Sequence, residues 1–325
     1  MRLLYLNGIN FFNEKEGLIM KNYIKIARPD HWIKNLFIIP GVIVAFLIFG
    51  KDLSSKFFID LVIGMAATCF ISSANYVINE WLDADYDKFH PVKKFRPVVT
   101  ANLKFKFVLL EYIILIILGL GLSLFIDFYF LIVEIWLLIM GLLYNVPPIR
   151  TKDIPYIDVL SESINNIIRL LLGWFIVVDN YFPPISILIG YWMCGAYLMS
   201  VKRYAEYKMI GNPEIAGLYR KSFRHYTEKS LLCSSFFYSM CATVFTSIFI
   251  IEYRIEYILA LPMLIGLFVL YFYLAFKKDS VVQKPEKLYL EKNLLLYLLS
   301  FVALLFILTF IDIPIMKQYF SMYLL

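Results

Sequence analysis

Asn79, Asp83 and Asp87 recur every fourth residue in Asn79-Glu80-Trp81-Leu82-Asp83-Ala84-Asp85-Tyr86-Asp87. At about 100° per residue they project from one side of a helix, drifting only about 40° per step. Two carboxylates and an amide so aligned form a ladder of hard oxygen ligands. Such a ladder suits Mg2+, which commonly completes its shell with substrate phosphates. The basic run Lys88-Phe89-His90-Pro91-Val92-Lys93-Lys94-Phe95-Arg96-Pro97 follows at once, and its cations would hold the same phosphates. A lone Asp at a helix mouth is usually a solvated cap. Three spaced oxygen ligands beside a run of cations favour a working site, because charge near hydrocarbon is expensive unless it is used.

A second constellation is Lys202-Arg203-Tyr204-Ala205-Glu206, in which Lys202 and Glu206 stand at i, i+4, a spacing that permits an ion pair. Snorkelling cations at a membrane surface are the plainer reading of Lys202 and Arg203; their sharing of one membrane side with the ladder favours phosphate binding. Glu206 would orient Lys202 or join the metal shell. The basic, aromatic stretch Tyr219 to Thr227 supplies Arg220 and Lys221, either in a surface amphipathic helix or in a lid over an anionic substrate. Lys34 and Asn35 follow Trp32 at the start of an apolar run and could meet a lipid phosphate. Arg169, about a dozen residues into an apolar segment, should face an internal cavity, with Glu162 on its helical face and Asn165 one turn away.

The elements that must position these groups are membrane helices. Of 325 residues, 61% are hydrophobic and 18% aromatic, the composition of a polytopic helical membrane protein. Crossing about 30 Å of hydrocarbon takes roughly twenty residues, and nine such runs fall near 33–50, 57–80, 107–126, 128–145, 156–178, 184–201, 231–252, 255–276 and 292–312. With a cytoplasmic N-terminus, 26 of the 31 lysines and arginines fall on the inner side, as the positive-inside rule requires. Both long polar loops then face the cytosol. The expected fold is therefore all-α, nine transmembrane helices around a cytosol-facing pocket. Residues 1–22 read as a lead-in, with Met20 an alternative start, and 23–325 as one transmembrane domain. Cys69, Cys194, Cys233 and Cys241 lie in apolar segments without metal-ligand spacing, so disulfides and zinc are not expected. The net charge of +6 reads as membrane-surface charge, not nucleic-acid binding. Ser-His-Asp, Cys-His and P-loop patterns are missing.

The ladder, the nine spans and a second motif after span six resemble the UbiA superfamily of intramembrane prenyltransferases. Arg28-Pro29-x-x-Trp32-x-Lys34-Asn35, His90-Pro91-x-Lys93-x-x-Arg96-Pro97, Lys202-Arg203-Tyr204-Ala205-Glu206 and Arg220-Lys221-Ser222 with Tyr226-Thr227 resemble its decaprenyl-phosphate phosphoribosyltransferase branch. The sequence departs from the superfamily pattern at Glu80, where Asp is common, and in the polar stretch from Ser161 to Asn166. The resemblance implies Mg2+ on Asn79, Asp83 and Asp87, and catalysis by these three with Lys202. Lys34, Asn35, Lys93, Lys94, Arg96, Arg169, Lys202, Arg203, Glu206, Arg220 and Lys221 would bind the substrates, phosphoribosyl diphosphate and a polyprenyl phosphate. The product would be polyprenylphosphoryl-5-phosphoribose for cell-envelope polysaccharide, made at a bacterial inner membrane. A homo-oligomer remains open. Prenyl transfer to an aromatic or haem acceptor is the alternative chemistry, and a non-catalytic lipid transporter the alternative class.

Overall fold

Apolar helix-forming runs separated by Pro, Gly and charge clusters produce a bundle. The computed structural model describes residues 20–50, 54–101, 103–277, 280–283 and 285–316, so the lead-in expected over 1–22 lies outside the described residues except for its last three. Among the described residues the regular structure is helical, and nine helices are long and apolar enough to cross a membrane. The first span, Met20–Phe49, passes through a 3-10 stretch, Pro29–Ile38, into α1, Ile39–Phe49. Then come α2 (Ser55–Asp87), α3 (Phe105–Ser123), α4 (Phe128–Asn145), α5 (Ile157–Val177), α6 (Ile185–Ile210), α7 (Glu228–Tyr253), α8 (Leu261–Ala275) and α9 (Lys292–Phe310).

α2 and α6 outrun the expected spans, ending at Asp87 rather than near 80 and at Ile210 rather than near 201. Hydropathy stops where polar residues begin, but backbone hydrogen bonding continues while ion pairs satisfy those residues. Pro91 lies just beyond α2. Gly211, at φ 67, ends α6 by donating its N–H to the Tyr207 carbonyl, the left-handed stop that glycine adopts without strain.

α5 is the most enclosed helix, with 72% of its apolar window buried against 6% for α9. It meets α1 through two glycines: a Cβ on Gly41 would fall 1.9 Å from the Leu170 carbonyl oxygen, and one on Gly173 2.0 Å from that of Ile38. Only glycine permits backbones to approach so closely within a membrane. One apolar core joins α1, α2, α4 and α5, around Ile71, Phe130, Leu172 and Trp174. A second joins α6, α7, α8 and the connector after α6, around Tyr197, Tyr204, Phe223 and Phe268. The C-terminal ends of α2, α4 and α6 and the N-terminal half of α5 line a cavity.

Candidate active site

The cavity measures about 570 Å3 and is lined by Asn79, Asp83 and Asp87 on α2, Tyr144 and Asn145 on α4, Glu162, Asn165, Asn166 and Arg169 on α5, and Lys202, Arg203 and Glu206 on α6. The predicted ladder therefore faces one cavity. Asp83 Oδ1 accepts from Arg150 Nη2 at 2.8 Å and Lys152 Nζ at 2.5 Å, while Oδ2 accepts from Asn79 Nδ2 at 3.3 Å. Asp87 Oδ2 accepts from Arg96 Nη1 at 2.6 Å. Glu80 turns away from the ladder, toward Arg96 Nε at 3.5 Å and Arg28 Nε at 3.8 Å.

Arg150 and Lys152 were not among the predicted site residues. Pro147 and Pro148, after the end of α4, cannot continue the helix, and the turn they make carries the two cations back across the C-terminal end of α2. A proline pair followed by two cations at an inner helix end was the available signal. Burial pushes the Lys152 ammonium down to about 8, even with Asp83 beside it. Burial also opposes charge on Lys93, yet Glu206 at 2.9 Å holds its ammonium above the ordinary value.

On the opposite wall one guanidinium gathers three carboxylates. Arg203, 1% exposed, reaches Asp158 Oδ2 through Nε at 3.3 Å, Glu206 Oε2 through Nη1 at 3.3 Å, and Glu162 Oε2 through Nη2. Asp158, in the first turn of α5 and fully buried, also accepts from Ser222 Oγ at 3.1 Å and the Tyr226 hydroxyl at 2.7 Å. The polar connector after α6 is thereby tied to α5. Sequence patterning singled out neither Asp158 nor Tyr144, whose hydroxyl donates to Glu162 Oε2 at 2.7 Å.

Two pairings that helical spacing permits are replaced by others. Lys202 lies 3.9 Å from Glu162 instead of pairing with Glu206, which Lys93 and Arg203 occupy. Arg169 does not pair with Glu162, because Arg203 takes that carboxylate; Arg169 donates from Nε to Asn35 Oδ1 at 3.0 Å and from Nη1 to the Asn165 carbonyl at 3.3 Å. Lys34, Lys93, Arg96, Arg169, Lys202, Arg203, Glu206 and Arg220 all border the cavity. Three predicted residues lie off it. Asn35 is fully buried among Cys69, Ser72 and Arg169. Lys94 is exposed, with its ammonium over the Phe95 ring, and Lys221 pairs with Asp153 at 3.2 Å.

Among the described residues no cluster of three or more His, Cys, Asp or Glu could enclose a metal. Two carboxylates and one amide facing a cavity rich in cations instead fit an ion that shares its shell with water and phosphate oxygens, the habit of Mg2+. The remaining wall is apolar: Ile33, Leu36 and Phe37 from the first span, Leu198 and Met199 from α6, and Leu288 from the 3-10 stretch Pro285–Leu290.

The family model described as the UbiA prenyltransferase family matches residues 37–301. The decaprenyl-phosphate phosphoribosyltransferase of Corynebacterium glutamicum is 28% identical over 236 residues, 68% of this chain and 63% of that protein. The enzyme of the same name from Mycolicibacterium smegmatis is 30% identical over 90 residues, 26% of each chain. The matches thus span less than two thirds of these relatives' length. The solved structure of a UbiA homolog from Archaeoglobus fulgidus bound to GPP and Mg2+ superposes with TM-score 0.66 at 21% identity, covering 89% of this chain and all of that one. That likeness is one of fold.

Proposed function

Because this chain belongs to the UbiA prenyltransferase family and is an integral membrane protein, we propose that it transfers 5-phosphoribose from phosphoribosyl diphosphate to a polyprenyl phosphate in a Mg2+-dependent reaction. The observation that carries this reading is the charge of the cavity. Eight Lys or Arg side chains line it against four Asp or Glu, more cation than one diphosphate and its metal would require. A donor carrying a second phosphate and an acceptor that is itself a phosphate account for the excess. The relatives named decaprenyl-phosphate phosphoribosyltransferase support the same reading.

Asp83 and Asp87, with Asn79, would hold Mg2+. When bound, the ion supplies Lewis-acid neutralisation of charge on the departing diphosphate. Arg96, Lys93 and Lys202 would hold phosphate oxygens, and Arg150 and Lys152 stand beside Asp83 where the leaving group would gather charge. A phosphate oxygen of the lipid attacks the anomeric carbon in line, the bond from that carbon to the diphosphate oxygen breaks, and the configuration inverts. The electron pair leaves on diphosphate, toward preorganised cations. A phosphate monoester is already ionised near neutral pH, its second pKa being about 6, so no strong general base is needed. The isoprenoid tail would run along Ile33, Leu36, Phe37, Leu198 and Met199. The positive-inside distribution of Lys and Arg supports a cytoplasmic cavity mouth in a bacterial inner membrane.

The test is incubation of the purified protein with labelled phosphoribosyl diphosphate, polyprenyl phosphate and Mg2+. Label should pass into a lipid-extractable product, and chelation should abolish the transfer. Absence of labelled lipid together with prenyl transfer from an isoprenoid diphosphate to an aromatic acceptor would replace this reading with the family's other chemistry.

A further inference from the structure

The polar lining does not stop at the metal ladder. Asn75 continues the ladder one rung inward on α2, joined by Ser72, and Asn165, Asn166 and Arg169 face the same space from α5. At about 1.5 Å per residue, Asn75 lies roughly 12 Å deeper along α2 than Asp83, and Arg169 roughly 18 Å along α5 from its inner end. Amides and a guanidinium at such depth, against hydrocarbon, are costly without a use.

Two of the amides rest on glycines of neighbouring helices. A Cβ on Gly141 would fall 1.9 Å from Asn75 Oδ1, and one on Gly195 2.2 Å from Asn166 Nδ2. Asn75 is further fixed by donating from Nδ2 to the Leu137 carbonyl at 2.9 Å. Asn75 Oδ1 and Asn165 Oδ1 are buried without a hydrogen-bond partner. Arg169 is held by Asn35 Oδ1, which also accepts from Ser72 Oγ at 3.2 Å.

We infer that this amide floor is the subsite for the phosphorylated sugar of the donor, with Asn75, Asn165 and Asn166 reading hydroxyls and Arg169 a phosphate. The inference rests on the reaction proposed above and assigns to it the source of donor specificity. An isoprenoid chain on this wall would leave amide oxygens unpaired, whereas a pentose supplies O–H donors. Most of the apolar lining lies on other walls, the first span, α6 and Leu288, with Leu137 of α4 the apolar residue beside the amides, so lipid and sugar have largely separate surfaces. The polar stretch from Ser161 to Asn166, unexpected in a prenyl-binding span, thereby acquires a role.

The experiment compares wild type with Asn166→Ala, Asn75→Ala, Arg169→Lys and Gly195→Ala, the last crowding Asn166 without removing it. KM for each substrate is measured, with protection from thermal unfolding in detergent by ribose 5-phosphate. Loss of one or two such hydrogen bonds should raise KM for phosphoribosyl diphosphate about tenfold, leave KM for polyprenyl phosphate within about twofold, and abolish protection by ribose 5-phosphate. If the lipid KM rises instead, Arg169 and its neighbours read the acceptor phosphate and the assignment is overturned. Unchanged donor KM in folded variants overturns it as well, while leaving the reaction standing. If wild type uses no phosphoribosyl diphosphate, the reaction fails. Protection by ribose 5-phosphate in wild type but not in the variants would then keep the subsite, and its absence would overturn that too.

Discussion

Carboxylates reach the cavity from two sides, and their partners differ in kind. On α2, Asp83 and Asp87 meet Arg150, Lys152 and Arg96, all outside the spans, on short connectors. On α5 and α6, Asp158, Glu162 and Glu206 converge on Arg203, at the centre of the fold and closed over by the Ser222 and Tyr226 hydroxyls. The first set draws its cations from connectors, and in the proposed reaction those cations would exchange a carboxylate for a phosphate. The second is a buried network in which every member satisfies another, and removal of one leaves charge stranded. In the proposed reaction, identical residue types would thus serve chemistry on one wall and architecture on the other.

That contrast is broken most forcefully at Asp158. Asp158→Ala removes one of the three carboxylates on Arg203 and the 3.6 Å partner of Arg220, and leaves the Ser222 and Tyr226 hydroxyls without their acceptor; breaking a buried pair typically destabilises by about 3–5 kcal/mol. Thermal unfolding in detergent should show a large drop, with activity lost as a consequence of unfolding. A variant that melts like wild type would remove the distinction between the walls.

Asp83→Asn should do the reverse. The amide keeps the shape and an oxygen, and Arg150 keeps Asp153 at 3.2 Å, so the melting temperature should stay within a few degrees. Turnover should fall by about 100-fold or more, the scale of losing one preorganised electrostatic contact, and Asp87→Asn should behave alike. Retained turnover would remove Asp83 and Asp87 from the catalytic machinery.

The division between walls also marks what the sequence made visible. Hydrophobic run lengths exposed the nine helices, and period-four spacing put Asn79, Asp83 and Asp87 on one face. Both follow from local rules. Partner choice does not: Asp83 draws its cations from a turn more than sixty residues away, and Arg203 rather than Arg169 captures Glu162 because tertiary packing brings α6 against α5 there. Helical periodicity made Lys202–Glu206 and Glu162–Arg169 plausible, and cross-helix competitors won both contests. The C-terminal ends of α2 and α6 extend past the hydropathy-based bounds for a related reason, since hydropathy cannot register residues whose charge is neutralised by another element.

His90, between the two walls, sharpens the comparison through pH. Burial, reinforced by the charge on Lys93, pushes its imidazole down to about 3, and Nδ1 accepts from the Val92 and Lys93 backbone N–H groups at 3.1 Å. In the unfolded chain the ring titrates near its usual value of about 6.5. Between these values the unfolded chain binds more protons, so stability should fall as pH drops below about 6.5, by at most roughly 1.4 kcal/mol per unit. His90→Gln retains an acceptor and should flatten that part of the stability profile, read from melts at pH 7.5 and 5.5.

The smallest effect is expected at Lys94, and it tests where the cavity ends. Lys93 is tied to Glu206 and lines the cavity, whereas its neighbour is solvent-exposed with its ammonium 5.2 Å from the Phe95 ring centroid. An exposed cation over a phenyl face contributes about 0.5–1 kcal/mol at most. Lys94→Ala should therefore leave donor KM within about twofold, against at least about tenfold for Lys93→Ala, whose loss strands the buried Glu206 carboxylate as well as removing a cavity cation. Equal effects would mean that the connector after α2 closes further over the substrate, bringing both lysines onto phosphate and enlarging the exchangeable wall at the expense of the fixed one.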